Sequence, residues 1–385
     1  MDFDFDPEAE AIRSEVLEFL ATELTPELVE HLYRTGVSHE ERFARSLGAR
    51  RWIAPDWPSE DSAPLDPFSV HVLTDELNKA EAPVYATATT MIVARAIRAV
   101  GSEQLKADVL PLVVTGEITI ALGMSEPEAG SDVASVQTRA RREGDDWVIN
   151  GQKMFTTNGH ATNYVFLLAR TSAEGPKHKG LTTFLVPVDG PGVEAQAVYT
   201  LSGERTNIVF YNDVHLDDRW RIGEVNGGWQ ALMISLQDEH SAGFSPHLAR
   251  LLEETEGWAR EPRGVGGEAP IVDEAVQERL TRCATDLEVA QLLEVRTTWM
   301  EANDVVPMAE GPMSKLYGTE ALVRNAEDLS ELVGPDGLRS RPDETALRGG
   351  RIEHALRFSL GTTIYAGTSE IQRNIIAERA CHLPR

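Results

Sequence analysis

The spacing of apolar residues divides the chain into three successive parts. In residues 7–115 apolar side chains recur every three or four positions, which predicts a lobe made of helices. Residues 117–220 contain short β-rich runs separated by turn residues, which predicts a small β domain. After residue 224 the helical spacing returns, and we predict long helices at 226–258, 273–302, 311–333 and 351–380. The predicted fold class is multi-domain α+β, with an N-terminal helical domain (1–118), a middle β domain (119–222) and a C-terminal four-helix bundle (223–385).

One turn of the β domain is predicted from a single residue pair. Asn150-Gly151 lies between the runs WVI and KMFTT. Asn-Gly supplies positive φ at both central positions of a two-residue turn, so we predict a β-hairpin that turns at this pair.

Charge and cysteine content exclude several classes of protein. The 385 residues include 36 Lys and Arg against 62 Asp and Glu, a net charge of -26 that repels nucleic acids and anionic membrane surfaces. Cys283 and Cys381 are isolated from each other and from His at ligand spacing, so we predict no disulfide framework and no metal site. The first residues are acidic and no apolar run approaches the length of a bilayer span, which predicts a cytoplasmic protein.

The segment SEPEAGSD (125–132) is the first of three that could carry chemistry. The backbone N–H groups around Gly130 can face an anion, and Ser125 and Ser131 add hydroxyls. The alternative is an ordinary polar turn.

The second segment is KMFTTNGH (153–160). If Phe155 and Thr157 lie on a strand they point the same way, and together they offer a stacking surface and an edge donor to a planar cofactor. A core Phe beside a surface Thr is an equally good interpretation.

The third segment is IYAGTSEIQRNIIAERA (364–380). Gly367-Thr368-Ser369 is typical of a helix start, with Thr368 or Ser369 as the cap, and free N–H groups at a helix start suit a pyrophosphate or a carbonyl. Helix caps are common, so an ordinary cap is the alternative interpretation.

In this order, the three segments resemble the acyl-CoA dehydrogenase family, flavoproteins that desaturate acyl-CoA thioesters between Cα and Cβ. The segments GSEQLKADVLPLVVTGE (101–117) and GEVNGGWQALMISLQDEH (223–240) extend the resemblance to nearly the whole chain. The resemblance implies the domain order given above, FAD as the cofactor, an acyl-CoA substrate and an electron-transfer flavoprotein as the electron acceptor.

The resemblance also assigns cofactor contacts. It places Ser125 and Ser131 at the flavin edge, Phe155 beside the isoalloxazine in place of the usual Trp, and Thr157 near flavin N5. Thr368 and Glu370 lie where the FAD pyrophosphate is bound. Because that contact is shared with the adjacent subunit in the family, the resemblance implies an oligomer.

The catalytic base is the main departure from the common family pattern. Most members have Glu at the position of Ala366, and Ala cannot take a proton. A subset uses a Glu of the bundle helix instead, which the resemblance matches to Glu239, while the N–H of Ala366 would polarise the thioester carbonyl.

Pattern alone gives Glu239 two interpretations. It lies on or beside an apolar stripe, where a carboxylate has a raised proton affinity, but from pattern alone a boundary Glu in an ion pair is the commoner case, and the resemblance reverses that preference. Gly243, beyond Glu239 on the same predicted helix, indicates room for a bulky or cyclic acyl group. The apolar stripe is Trp229, Leu232, Met233, Leu236 and Phe244.

Three further departures point to an unusual assembly. His240 replaces an Arg, residues 260–266 lack the family's RxxFG segment, and Glu331 replaces an amide near the expected adenine. Such changes resemble the α2β2 members of actinobacterial steroid catabolism, so a homo-oligomer and a heterotetramer with a related chain both stay open. The alternatives for function are a flavin monooxygenase or oxidase of the same fold, and a non-catalytic partner subunit.

Overall fold

The fold confirms the predicted α+β class. The computed structural model describes residues 5–58, 63–237, 243–262, 267–341 and 343–384. The helices in these ranges are α1 (Pro7–Glu23), α2 (Pro26–Thr35), α3 (Glu41–Ala49), α4 (Pro67–Lys79), α5 (Tyr85–Val100), α6 (Glu103–Val114), α7 (Gly228–Gln237), α8 (Ser245–Arg260), α9 (Glu274–Ala302), α10 (Glu310–Val333), α11 (Arg351–Thr362) and α12 (Ser369–Arg379). The strands are β1 (Ile120–Gly123), β2 (Arg139–Glu143), β3 (Asp146–Lys153), β4 (Tyr164–Arg170), β5 (Leu181–Pro187), β6 (Val193–Tyr199), β7 (Arg205–Asp217) and β8 (Arg221–Ile222). No described helix is long and apolar enough to cross a lipid bilayer.

The chain forms two compact units, each built from separated segments. The first, called the bundle unit here, comprises Met1–Glu18, Leu65–Glu81 and His240–Arg385. The second, called the sheet unit, comprises Phe19–Pro64 and Ala82–Glu239. The three domain boundaries drawn from the sequence stay a prediction.

The sheet unit contains one mixed sheet. Its strand order is β6-β7-β3-β2-β4-β5-β8, and β1 pairs with β4 in parallel. The central strand β4 is buried from Val165 to Ala169, because one face packs against helices and the other against the rest of the sheet core. Helix α5 is fixed to β1 by two threonines: Thr90 Oγ1 accepts from the Ile120 N–H at 2.7 Å, and Thr89 Oγ1 donates to the Ile120 carbonyl at 2.9 Å.

The hairpin prediction at Asn150-Gly151 is wrong. Strand β3 runs through both residues, and the two-residue turn lies at Gly144 and Asp145, between β2 and β3. Opposite Asn150, β7 has an extra residue, and the Asn150 side chain is hydrogen-bonded to Asp213 in both directions at 2.9 and 3.0 Å. The bulge therefore lies at Asn212 and Asp213 of β7, and the Asn150 side chain binds it from the neighbouring strand.

In the bundle unit, α8, α9, α10 and α11 share one apolar core. Two of the predicted helices are each divided into two. The region 226–258 forms α7 and α8, and 351–380 forms α11 and α12. The second break coincides with two successive left-handed residues, Ala366 at φ 53° and Gly367 at φ 81°, which no helix can include.

Candidate active site

In the sheet unit, the structure brings together two of the three candidate segments. The segment 125–132 follows β1, and 153–160 begins with the last residue of β3. The backbone N–H of Met154 donates to the Ser125 carbonyl at 2.8 Å. Ser125 and the residues around Phe155 therefore belong to one local surface.

Phe155 is the most unusual residue of this surface. Its side chain is 60% exposed, and its backbone has a φ of 59°, a conformation rare for a bulky residue. The prediction that Phe155 and Thr157 extend a strand is wrong, because β3 ends at Lys153. The following residue fixes the conformation: the Thr156 N–H donates to the Asn207 carbonyl at 3.0 Å, and Asn207 Nδ2 donates to the Thr156 carbonyl at 2.9 Å. An exposed aromatic ring held in a strained backbone is typical of a binding surface.

The hydroxyls near this ring meet the second requirement of a flavin site. Ser125 and Thr157 are half-buried, and Ser131 is exposed. Thr157 Oγ1 lies 3.3 Å from Thr206 Oγ1. The buried Thr156 Oγ1 has no hydrogen-bond partner among the described residues. Together, an exposed ring and hydroxyls with unused hydrogen-bonding capacity fit a planar cofactor with polar edges, as FAD is.

A buried ion pair that sequence reasoning missed holds the 125–132 segment. Lys153 Nζ lies 2.8 Å from Glu126 Oε1 and 3.1 Å from the Met124 carbonyl, and the Lys153 side chain has no exposed surface. The Glu126 carboxylate also accepts the backbone N–H groups of Gln137 and Thr138, at 2.5 and 2.9 Å. The pair thus ties the end of β3 to both ends of the loop that contains Ser125.

Burial and mutual attraction act oppositely on this pair. Burial lowers the pKa of Lys153 to about 8, although the Glu126 charge raises it. Burial alone would raise the pKa of Glu126, but the Lys153 charge and the Gln137 N–H lower it below its ordinary value. At neutral pH both groups are therefore charged, and each depends on the other.

In the bundle unit, the third candidate segment forms a turn before α12. Lys315 Nζ donates to the Gly367 carbonyl at 2.7 Å, and Gln372 Nε2 donates to the Ala366 carbonyl at 2.9 Å. Both side chains are buried, with 2% and 0% exposed. Among the described residues no acceptor is hydrogen-bonded to the Ala366 N–H, which leaves that group free of internal partners.

The start of α12 agrees in part with the prediction. Thr368 caps the helix, and its Oγ1 accepts from the Ile371 N–H at 3.3 Å. Glu370 is exposed, and hydrogen bonds from its own backbone N–H and from Thr368 lower the pKa of its carboxyl. An ionised carboxylate is a poor partner for a phosphate and a good acceptor for a hydroxyl.

Some candidate residues lie outside the described part of the chain. Glu239, the candidate base, and the neighbouring His240 are among them, as are residues 263–266. The apolar stripe predicted around Glu239 is only partly present. Leu232 is buried in α7, but Met233 is 39% exposed. Phe244 precedes α8 instead of lying on the same helix as the others.

Gly243 does not provide the predicted room for an acyl group. A Cβ at this position would overlap the carboxylate of Glu294 on α9. The glycine is required by this close approach of two parts of the bundle unit.

Comparison with known proteins gives a consistent result over the full length. Family models for the acyl-CoA dehydrogenase N-terminal, middle and C-terminal domains match residues 6–117, 121–218 and 226–381. The acyl-CoA dehydrogenase FadE26 of Mycobacterium tuberculosis is 34% identical over 100% of this chain and 99% of its own length. The acyl-CoA dehydrogenase FadE29 of the same organism is 29% identical, with the same coverage.

Solved structures are also similar to this chain over its full length. A chain of the ChsE4-ChsE5 complex from Mycobacterium tuberculosis superposes with a TM-score of 0.90 at 31% identity, over 100% of both chains. A chain of the Tcur3481-Tcur3483 steroid ACAD gives a TM-score of 0.90 at 30% identity, also over 100% of both chains.

Proposed function

Since this chain belongs to the acyl-CoA dehydrogenase family, we propose how its own residues divide the work of that reaction. The enzyme is an FAD-dependent oxidoreductase that introduces a double bond between Cα and Cβ of an acyl-CoA thioester, and its electrons pass to an electron-transfer flavoprotein. The observation that carries the residue assignments is the exposed, strained Phe155 beside the Ser125 segment.

Cofactor binding is assigned to two sets of residues. Phe155 offers a flat apolar surface to the isoalloxazine, and Ser125, Ser131 and Thr157 bind its polar edge. Thr368 contacts the pyrophosphate of a cofactor shared with a neighbouring subunit. Glu370, because it is ionised, accepts a hydrogen bond from a cofactor hydroxyl. Bound FAD supplies the acceptor for the hydride that leaves Cβ.

The substrate carbonyl is assigned to Ala366. Lys315 and Gln372 fix the turn by donating to the carbonyls of Gly367 and Ala366. The N–H of Ala366 in this turn donates to the thioester oxygen and stabilises the negative charge that develops there. Ala366 has no proton acceptor in its side chain, so the base that takes the Cα proton must come from elsewhere. We assign it to Glu239 from its sequence position.

The acyl group and assembly follow from the relatives. We propose a steroid-derived acyl-CoA as the substrate, because one similar structure is described as a steroid ACAD. Both similar structures are complexes named by two different chains. Together with the departures at 260–266 and Glu331, they support assembly with a related chain over a homo-oligomer. The cytoplasmic location expected from the sequence remains part of this proposal.

Anaerobic titration tests the function. The chain is purified alone and together with a related chain from the same genome, and its flavin absorbance is followed as straight-chain, branched and steroid-derived acyl-CoA thioesters are added. We expect a flavin band that bleaches without NADH, most completely with the steroid thioester. A preparation with no flavin band in either form contradicts the cofactor assignments and favours the non-catalytic subunit. Reduction only by NADH favours a monooxygenase.

A further inference from the structure

Glu294 on α9 is a buried carboxylate with three hydrogen bonds, none of them used by the assignments above. Its Oε1 accepts the N–H groups of Phe244 and Ser245 at 2.9 and 3.0 Å, and its Oε2 accepts the Ser245 hydroxyl at 2.5 Å. Only 5% of Glu294 is exposed. The residue before α8, Phe244, makes no capping hydrogen bond with its own side chain. A residue of another helix therefore caps α8.

The segment just before α8 is shaped to this carboxylate. A Cβ on Gly243 would overlap the Glu294 carboxylate. The backbone at position 243 therefore lies closer to Glu294 than it could with any residue other than glycine there. Gly243 follows Glu239, the proposed base, by four positions in the sequence. The carboxylate thus fixes the backbone immediately after the segment that contains the base.

Phe244 extends this restraint to the carbonyl-binding turn. Its ring centroid lies 6.4 Å from that of Tyr365, with 35° between the ring planes. Phe244 is 8% exposed, and a Cβ added to Gly318 on α10 would lie 3.3 Å from the Phe244 Cβ. Tyr365 directly precedes Ala366, whose N–H is assigned to the substrate carbonyl. The Tyr365 residue is 43% exposed, so its ring contacts Phe244 on one side, and a shift of Phe244 would reach Ala366 through that contact.

We propose that Glu294 is a positioning residue for the dehydrogenase reaction, which holds the start of α8 and, through Phe244, the Tyr365-Ala366 turn. This inference rests on the proposed function for its effect on the rate. The hydrogen bonds and the ring contact on which it stands belong to the bundle unit alone.

Three variants test the proposal in the complete, FAD-loaded protein. Glu294→Leu keeps much of the volume but removes every acceptor from Phe244 and Ser245. Glu294→Gln retains an oxygen for the two N–H groups and serves as the matched control. Phe244→Leu leaves the carboxylate and both backbone N–H groups in place and removes only the ring contact with Tyr365.

We expect Glu294→Leu and Phe244→Leu each to lower the rate of flavin reduction at saturating acyl-CoA by about tenfold or more, the effect of misplaced reacting groups. FAD content and the Kd for the acyl-CoA should stay near wild type, and Glu294→Gln should retain a rate within about threefold of wild type. A role in stability alone would lower FAD content or thermal stability and leave the rate per bound flavin unchanged. If Glu294→Leu fails to fold, Phe244→Leu decides.

Hydrogen exchange measured by mass spectrometry separates this inference from the proposed function, because it needs no turnover. Glu294→Leu and Phe244→Leu should both speed amide exchange in residues 363–368, and Glu294→Gln should not. Any of three results would overturn the proposal. They are wild-type exchange in that turn for Phe244→Leu, a wild-type rate of flavin reduction in either Leu variant, and equal losses of that rate in Glu294→Gln and Glu294→Leu. If no acyl-CoA reduces the wild-type flavin, the proposed function fails while the exchange result still decides the positioning role.

Discussion

Lys153 and Glu126 show why single residues of the site were missed. They lie 27 positions apart, and their contact depends on how β3 approaches the loop after β1. From the sequence alone, each residue belongs to a candidate segment, but nothing indicates that the two form an ion pair. The helix cap, in contrast, was predicted to be Thr368 or Ser369, and Thr368 is the cap, because capping depends on residues only three positions apart. Gln372 is another residue that sequence reasoning missed: its side chain is fully buried and donates to the Ala366 carbonyl, six positions away.

The buried pair predicts a large effect of one substitution. Lys153→Met leaves the Glu126 carboxylate buried without its cation, which costs about 3–5 kcal/mol. We expect urea denaturation to show a loss of this size in the free energy of unfolding, together with reduced FAD content. Lys153→Met combined with Glu126→Gln should recover part of the loss, since no buried charge remains.

Lys106→Met is the matched control for that prediction. Lys106 pairs with Glu103, whose side chain is 91% exposed, at 2.8 Å. An exposed pair contributes no more than about 1 kcal/mol. Similar losses for the two Lys variants would mean that the buried pair does not hold the 125–132 segment.

Glu294 gives the bundle unit a dependence on pH. Burial, with a contribution from the Asp75 charge, raises the pKa of Glu294 to about 7 from its ordinary value of 4.5. Asp75 and His71 of α4 bring their titratable atoms within 4.8 Å of Glu294. Burial raises the pKa of Asp75 to about 6, and burial and Arg13 lower the pKa of His71 to about 4.

The sign of this dependence follows from proton binding. Between pH 4.5 and 7 the folded protein holds a proton on Glu294 that the unfolded chain releases, so stability is greatest below this window and is lost as pH rises through it. We expect the stability of Glu294→Gln relative to wild type to increase by on the order of 3 kcal/mol from pH 4.5 to pH 7, measured by denaturation at each pH. Asp75→Asn removes a charge that raises the pKa of Glu294 in the folded protein, so the upper end of the window should move to lower pH. A constant difference across the range would contradict the assignment.

At the scale of elements, the order of helices and strands was predictable and the details of pairing were not. The helical and β periodicities gave the class of each region, because they depend on which side chains are buried. Strand β2 (Arg139–Glu143) was missed since only Ala140 of its residues is buried, and its polar sequence is not typical of a core strand. The Asn150-Gly151 pair misled because Asn-Gly is typical of hairpin turns, whereas here it lies inside β3 and Asn150 binds the bulge of β7.

Gly151 of β3, which lies beside the bulge of β7, gives a prediction about stability at the scale of elements. Gly151 has a φ of 148°, and an added Cβ would lie 2.5 Å from Thr138 Oγ1. We expect Gly151→Ala to lower the free energy of unfolding by about 1–3 kcal/mol, from strain and steric overlap. Gly130→Ala is the control, because no atom lies within 4 Å of a Cβ there and its effect should stay within about 0.5 kcal/mol. Equal stability of the two variants would show that β3 tolerates a side chain at position 151.

At the scale of the whole molecule, three sequence segments, in their order along a chain of helices, sheet and helices, led to the family, and the site residues were assigned from that resemblance. Phe155, Ser125 and Ala366 stay assignments from the resemblance, and the structure adds the groups that hold the segments around them: Lys153 in the sheet unit, and Lys315 and Gln372 in the bundle unit. Those holding groups are long-range contacts, which periodicity does not encode. The choice of base remains the central claim, since it rests on the empty proton-accepting position at Ala366.

Anaerobic stopped-flow reduction of the flavin by acyl-CoA, in wild type and Glu239→Gln, tests this claim most directly. Gln keeps the shape of Glu and cannot take the Cα proton, so FAD content and the Kd for acyl-CoA should be unchanged. The rate of flavin reduction should fall by about a hundredfold or more, the contribution of a positioned base. Reduction of Glu239→Gln at the wild-type rate would contradict the account and assign proton abstraction to another residue or to the partner chain.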